Sequence, residues 1–289
     1  MRVARGPDEL EPARRAVAVG TFDGVHLGHR RVIAAAQAAK GLRSTIVTFD
    51  PHPRTILGNR VELLTTTRRR LELFEQLGVD EVLLLEFDAE LAALEPEAFA
   101  ESLLRAIGTE VVAAGEGFRF GHARGGDLAL LERMGFDVRR VPLVDGVSST
   151  HIRKLIGAGE VVQAARMLGR PPEVEGTVVL GDQRGGTLGF PTANLAVPAD
   201  LVVPGYGVYA GEAFGQRAAI SIGTHPHYGG TERRIEAYLL DFEGDLYGSR
   251  LVVEVWERLR DEAAFGSEAE LIAAIADDVR RTRAARRPD

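Results

Sequence analysis

Apolar positions in the first half of the chain come in short runs separated by stretches of helical period. The runs are Ala16–Gly20, Ser44–Phe49, Glu81–Leu85, Glu110–Ala114 and Val138–Val144; short apolar-rich runs of this kind read as strands covered on both faces. Between them, Arg30–Lys40, Thr67–Leu77 and Pro96–Ile107 repeat at helical spacing and stop at Gly41, Gly78 and Gly108, the residue type that helix ends favour. Alternating strands and helices predict an α/β domain with a parallel sheet. Ser148–Leu168 reads as one or two further helices, interrupted at Gly157 and Gly159.

The pattern changes at Gly169-Arg170-Pro171-Pro172, because two prolines end helical structure and start an extended connection. The expected domains are therefore 1–169 and 170–289. Beyond the boundary, Val174–Leu180, Val208–Phe214, Arg217–Ile222, Ile235–Phe242 and Leu251–Leu259 are β-rich segments separated by glycine turns. They predict an antiparallel sheet closing into a small barrel. Ser267–Arg287 opens on a Ser-capped, Glu-rich turn and ends in arginines, the polarity of a C-terminal helix.

Composition narrows the chemistry. The chain has 289 residues, 45% hydrophobic and 27% charged, which excludes disordered and collagen-like classes. No run approaches the roughly 20 apolar residues that cross a bilayer, and Met1–Arg15 carries charges and prolines where a signal peptide would be apolar; a cytoplasmic protein without membrane partners is expected. Zero cysteines exclude thiolate nucleophiles and thiolate metal sites. Lys40 and Lys154 are followed by Gly41 and Leu155, so no P-loop is present. The net charge is -7 and neither half has the basic excess of a nucleic-acid binder.

Gly20-Thr21-Phe22-Asp23-Gly24-Val25-His26-Leu27-Gly28-His29 joins the first strand to the helix expected near Arg30. Glycines let backbone approach a ligand closely, and a helix N-terminus presents N–H groups and a positive dipole end. His26 and His29 at that junction are suited to donate to phosphate oxygens. The rival readings are a metal pair, weakened because no third ligand is apparent nearby, and a glycine turn with two exposed histidines. A second anion seat is Ser148-Ser149-Thr150-His151-Ile152-Arg153, hydroxyls before a helix with a fixed positive charge one turn in; alone it would be only a cap.

In the second half, Phe190-Pro191-Thr192-Ala193-Asn194 places Thr192 and Asn194 two apart, on one face if extended. Both offer neutral oxygens adequate for a magnesium ion carried by ATP. A β-turn whose Thr and Asn bond their own backbone is an equally good reading of the chemistry. Glu236 lies inside an apolar run, and alternation alone favours a plain outward-facing glutamate.

The segments Gly20–Arg30 and Ser148–Arg153 resemble the HxGH nucleotidyltransferase superfamily. Phe49-Asp50-Pro51-His52-Pro53 and Gly115–Gly121 narrow the resemblance to the adenylyltransferase module of bacterial bifunctional FAD synthetases. The string GTLGFPTANL at Gly186–Leu195, together with Pro204–Tyr209, Ile235–Phe242 and Leu259–Glu262, looks like the riboflavin kinase module that follows in the same proteins.

The resemblance implies a Rossmann-like domain and a barrel kinase domain with two ATP-consuming reactions, riboflavin to FMN and FMN to FAD with release of pyrophosphate. It implies that Gly20, Phe22, Asp23, Gly24, His26, His29, Ser149, Thr150 and Arg153 hold the ATP of adenylyl transfer. Glu236 would be the general base of the kinase, Thr192 and Asn194 its Mg2+ ligands, and Gly181, Gly189, Pro191 and Arg260 part of its nucleotide and flavin site. Implied partners are riboflavin, FMN and ATP, with weak homo-oligomerisation the one self-association left open. Three positions depart from the family pattern: Gly117 where Asp or Asn is usual, Gly186 for an arginine, and His227 for a threonine. The alternative is a riboflavin kinase with weak or absent FAD formation.

Overall fold

The computed structural model describes residues 1–181, 190–224 and 233–288. Packing divides the chain into two compact units, Met1–Val61 with Thr66–Ser148, and Glu62–Thr65 with Ser149 onward. The helices Ser149–Gly157 and Val161–Leu168 thus group with the second unit.

The first unit is built on a six-stranded sheet: β1 (Arg2–Ala4), β2 (Arg15–Val19), β3 (Arg43–Asp50), β4 (Glu81–Glu86), β5 (Thr109–Gly115) and β6 (Asp137–Val141). Their order is β1-β4-β3-β2-β5-β6, and every pairing is parallel. Side chains alternate between faces along a strand, which explains the apolar runs. Val17 and Val19 join Val47, Leu83, Leu85 and Val112 on one face, while Ala16 and Ala18 join Ile46, Val82, Leu84 and Val111 on the other. Strand β1 has no counterpart in the sequence reading, because it is three residues long and buries only Ala4. The helix expected over Pro96–Ile107 changes register, an α-turn at Pro96–Phe99 passing into a π-helical Ala100–Arg105.

At the N-terminal edge of this sheet, Arg15 is 1% exposed and Glu81 3%. Arg15 donates from Nε to Glu81 Oε2 at 2.8 Å and from Nη2 to the Glu11 carbonyl at 2.7 Å, while Arg43 Nη1 donates to Glu81 Oε1 at 2.8 Å. Burial pushes the Glu81 carboxyl up, and the hydrogen bonds from Arg15 and Arg43 outweigh it, leaving it below its ordinary value. A depressed carboxyl stabilises the fold above the unfolded-state pKa, and that contribution is lost as pH falls through the folded-state value. Removing one member of a buried pair costs about 3–5 kcal/mol. Glu81→Gln is therefore expected to lower the urea midpoint at neutral pH, with the gap to the parent closing below about pH 4; an equal gap at both pH values would contradict this account.

The second unit is a closed antiparallel barrel of β7 (Glu173–Val179), β8 (Ala193–Ala196), β9 (Gly207–Ala213), β10 (Gln216–Thr224), β11 (Arg233–Leu239) and β12 (Arg250–Arg260), ordered β10-β11-β8-β7-β12-β9. Its interior is filled by residues such as Val178, Leu195, Ile220, Ile235, Leu251 and Val253. The Glu268–Ala284 helix begins at Ser267, whose hydroxyl accepts from the Glu270 N–H at 3.3 Å.

Candidate active sites

In the first unit, β2 ends at Val19 and the glycine segment leads into the Leu27–Gln37 helix. The helix begins three residues before the expected Arg30, because its cap is an imidazole: His26 Nδ1 accepts from the His29 N–H at 3.3 Å. With Nδ1 accepting, the proton of neutral His26 sits on Nε2, which makes that atom a donor. The His26 and His29 rings stack with centroids 3.5 Å apart, and Phe22 meets His29 edge-on at 5.3 Å. A Cβ at Gly28 would lie 3.2 Å from His26 Cε1, so the glycine between the histidines leaves room for the first ring. The loop is conformationally costly: Phe22, Gly24 and Val25 have φ of 51, 81 and 43°. Positive φ is an outlier for a β-branched residue, and such backbone persists only where surrounding contacts fix it.

One contact that fixes it escaped the sequence reading. Arg70, on the Thr67–Gln76 helix, is 4% exposed and donates to the Thr21 and Phe49 carbonyls at 2.8 and 2.9 Å. Arg68-Arg69-Arg70 looks like a solvated run, yet Arg70 precedes the buried Leu73 and Phe74 by three and four residues, the spacing of one helix face. That periodicity was the available signal.

Ser149, Thr150 and Arg153 lie in the first turns of the Ser149–Gly157 helix of the second unit, where Arg153 Nε donates to the Glu62 carbonyl. Gly117 occupies the turn after β5, and a Cβ there would meet nothing within 4 Å. Among the described residues no group of three His, Cys, Asp or Glu is placed to hold a metal ion.

The barrel brings its candidates together by register. Glu236 of β11 pairs directly with Asn194 of β8, and directly opposed residues share a face with Cβ atoms roughly 4.5–5.5 Å apart. That face is the outer one, since Ile235, Ala237 and Leu239 fill the core. Thr192 precedes Asn194 by two residues. Gly181 closes against the same amide, and a Cβ there would meet the Asn194 side chain, which would have to shift. Phe190 meets Tyr238 edge-on at 5.5 Å, next to the exposed Pro191. Arg260 is held by Asp278 of the C-terminal helix, with Nη2 to Oδ2 at 2.8 Å. Gly186, Gly189 and His227 lie outside the described residues.

The family described as FAD synthetase matches residues 8–153, and the family described as riboflavin kinase matches residues 168–286. The bifunctional riboflavin kinase/FMN adenylyltransferase of Listeria monocytogenes is 37% identical, over 96% of this chain and 94% of its own. The chain belongs to the bifunctional riboflavin kinase/FMN adenylyltransferase family. Other members of this family, from Escherichia coli K12 and Bacillus subtilis, are 35% and 33% identical over 96% and 93% of this chain, covering 96% and 91% of their own. A crystal structure of a macrolide-efflux protein from Streptococcus pneumoniae is 30% identical, with a TM-score of 0.87 over 97% of this chain and 98% of that one. In the present member of the riboflavin kinase/FMN adenylyltransferase family, no helix among the described residues is long and apolar enough to cross a membrane.

Proposed function

We propose that the barrel unit phosphorylates riboflavin to FMN and that the parallel-sheet unit carries the loop that adenylylates FMN to FAD, each step consuming ATP. The observation that supports the first half most directly is the cross-strand pair of Glu236 and Asn194, a proton acceptor beside a neutral oxygen ligand. In this reading the Glu236 carboxylate takes the proton of the terminal ribityl hydroxyl as its oxygen attacks the γ-phosphorus of ATP, and ADP leaves. Thr192 and Asn194 fit Mg2+ only as a few neutral oxygens completing the shell of an ion that arrives on ATP. Such an ion would neutralise phosphate charge.

In the second reaction an oxygen of the FMN phosphate attacks the α-phosphorus of ATP and pyrophosphate departs. His26 Nε2, His29 and the N–H groups entering the Leu27–Gln37 helix would stabilise the developing phosphate charge, a positioning and electrostatic task. Ser149, Thr150 and Arg153, at the start of the Ser149–Gly157 helix, would offer a separate seat for an anion. The functional modules we assign are 1–169 and 170–289, supported by family matches ending at 153 and beginning at 168. ATP as shared substrate supports a cytoplasmic place of work.

Gly117 favours one second reading, a riboflavin kinase with weak adenylylation, because a hydrogen-bonding side chain usual at that position is absent. Purified protein given riboflavin, ATP and magnesium is expected to yield FMN, and given FMN and ATP to yield FAD and pyrophosphate. FMN without FAD at any magnesium concentration would establish the second reading instead, and neither product would overturn both.

A further inference from the structure

Arg68 and Arg69 of the Thr67–Gln76 helix both pair with Glu72, at 3.4 and 3.0 Å. Arg70 instead is buried with Leu73 and Phe74. A guanidinium taken out of water is costly unless its donors are used. Two are used on main-chain oxygens, the Thr21 carbonyl inside the glycine segment and the Phe49 carbonyl near the end of β3. Strands β2 and β3 are neighbours in the sheet, so one side chain ties together two adjacent strand ends.

The residue after Thr21 is Phe22, the first of the positive-φ positions. Its ring meets Phe74 edge-on at 5.8 Å, so consecutive turns of one helix grip consecutive residues of the loop. Burial pulls the Arg70 guanidinium down, opposed by the nearby charges of Asp23 and Asp50. A polyphosphate brought to this loop meets those carboxylates and the outward carbonyl dipoles of the strand ends, and a fixed cation among them reduces that repulsion.

We propose that Arg70 is a positioning residue for adenylyl transfer, tying the start of the Thr21–Val25 segment to the end of β3 through its bonds to the Thr21 and Phe49 carbonyls and offsetting the carboxylates beside the ATP phosphates. The inference rests on the reading that this loop holds ATP. A lysine in place of Arg70 keeps the charge but presents a single point donor, without the planar fork that spans two carbonyls.

The test uses the full chain with Arg70→Met and Arg70→Lys, and measures KM for ATP, KM for FMN, and the inhibition constant of inorganic pyrophosphate in FAD formation. Riboflavin phosphorylation in the same samples reports on the second unit. Arg70→Met is expected to raise KM for ATP and the pyrophosphate constant by roughly tenfold or more, the scale of one lost charge-assisted hydrogen bond. KM for FMN should stay within about twofold, and Arg70→Lys should fall between parent and Met. A purely structural contribution would lower kcat with the active fraction and leave both constants unchanged, which overturns the proposal. If Arg70→Met does not fold, Arg70→Lys decides: unchanged constants in it are equally fatal. A parent protein that forms no FAD overturns the site reading itself, an outcome distinct from normal parent turnover with indifferent Arg70 variants.

Discussion

In a Glu236→Gln protein, riboflavin phosphorylation is expected to fall roughly 10²–10⁴-fold, the usual contribution of a general base. Glutamine has nearly the same shape and keeps an oxygen and an amide on the outer face of β11, where Glu236 is partly exposed, but it does not take up the ribityl proton. The barrel core, formed by Ile235, Ala237 and Leu239 from the same strand, is untouched. Initial rates of FMN formation from riboflavin and ATP measure the effect, and FAD formation from supplied FMN should continue at the parent rate. A full kinase rate in Glu236→Gln would remove Glu236 from the mechanism and leave its pairing with Asn194 a plain feature of the sheet.

His29→Ala should produce the complementary phenotype, with FAD formation reduced about 10²–10³-fold, as for loss of one preorganised donor to developing charge. The substitution removes the ring that stacks on His26 and supports Phe22, while the main-chain N–H of residue 29 still caps onto His26 Nδ1. The helix start is thus preserved and the loss falls on the phosphate contacts. Pyrophosphate release with FMN and ATP is the assay, and FMN formation from riboflavin is the internal control. Loss of both reactions in a folded protein would mean that the two chemistries do not occupy separate sites.

The parallel sheet was legible because its inner strands are apolar at consecutive positions, a pattern forced by two covered faces, as Val17 and Ala18 illustrate by entering opposite cores; the edge strand β6 buries only Val141 and is not covered on both faces. β1 was not, since three residues next to charged neighbours give no periodicity. The segment around Asn194 was open between an extended stretch and a β-turn, and its four-residue strand β8 and its partner were hidden, because register between β8 and β11 is set by the folded barrel rather than by local sequence. At the Gly20–His29 loop, proposed for adenylyl transfer, the glycines and histidines announced themselves through spacing. Arg70 did not, because an arginine in a run of three is read as solvated, and only its phase relative to Leu73 and Phe74 reveals that it faces inward.

The barrel core is filled mainly by aliphatic side chains, with Tyr209 among them, and its proposed reacting groups stand on the exterior of the staves. With Glu236 and Asn194 as the proposed reacting pair, substrate meets the barrel from outside, and the paired strands need not part during a turnover.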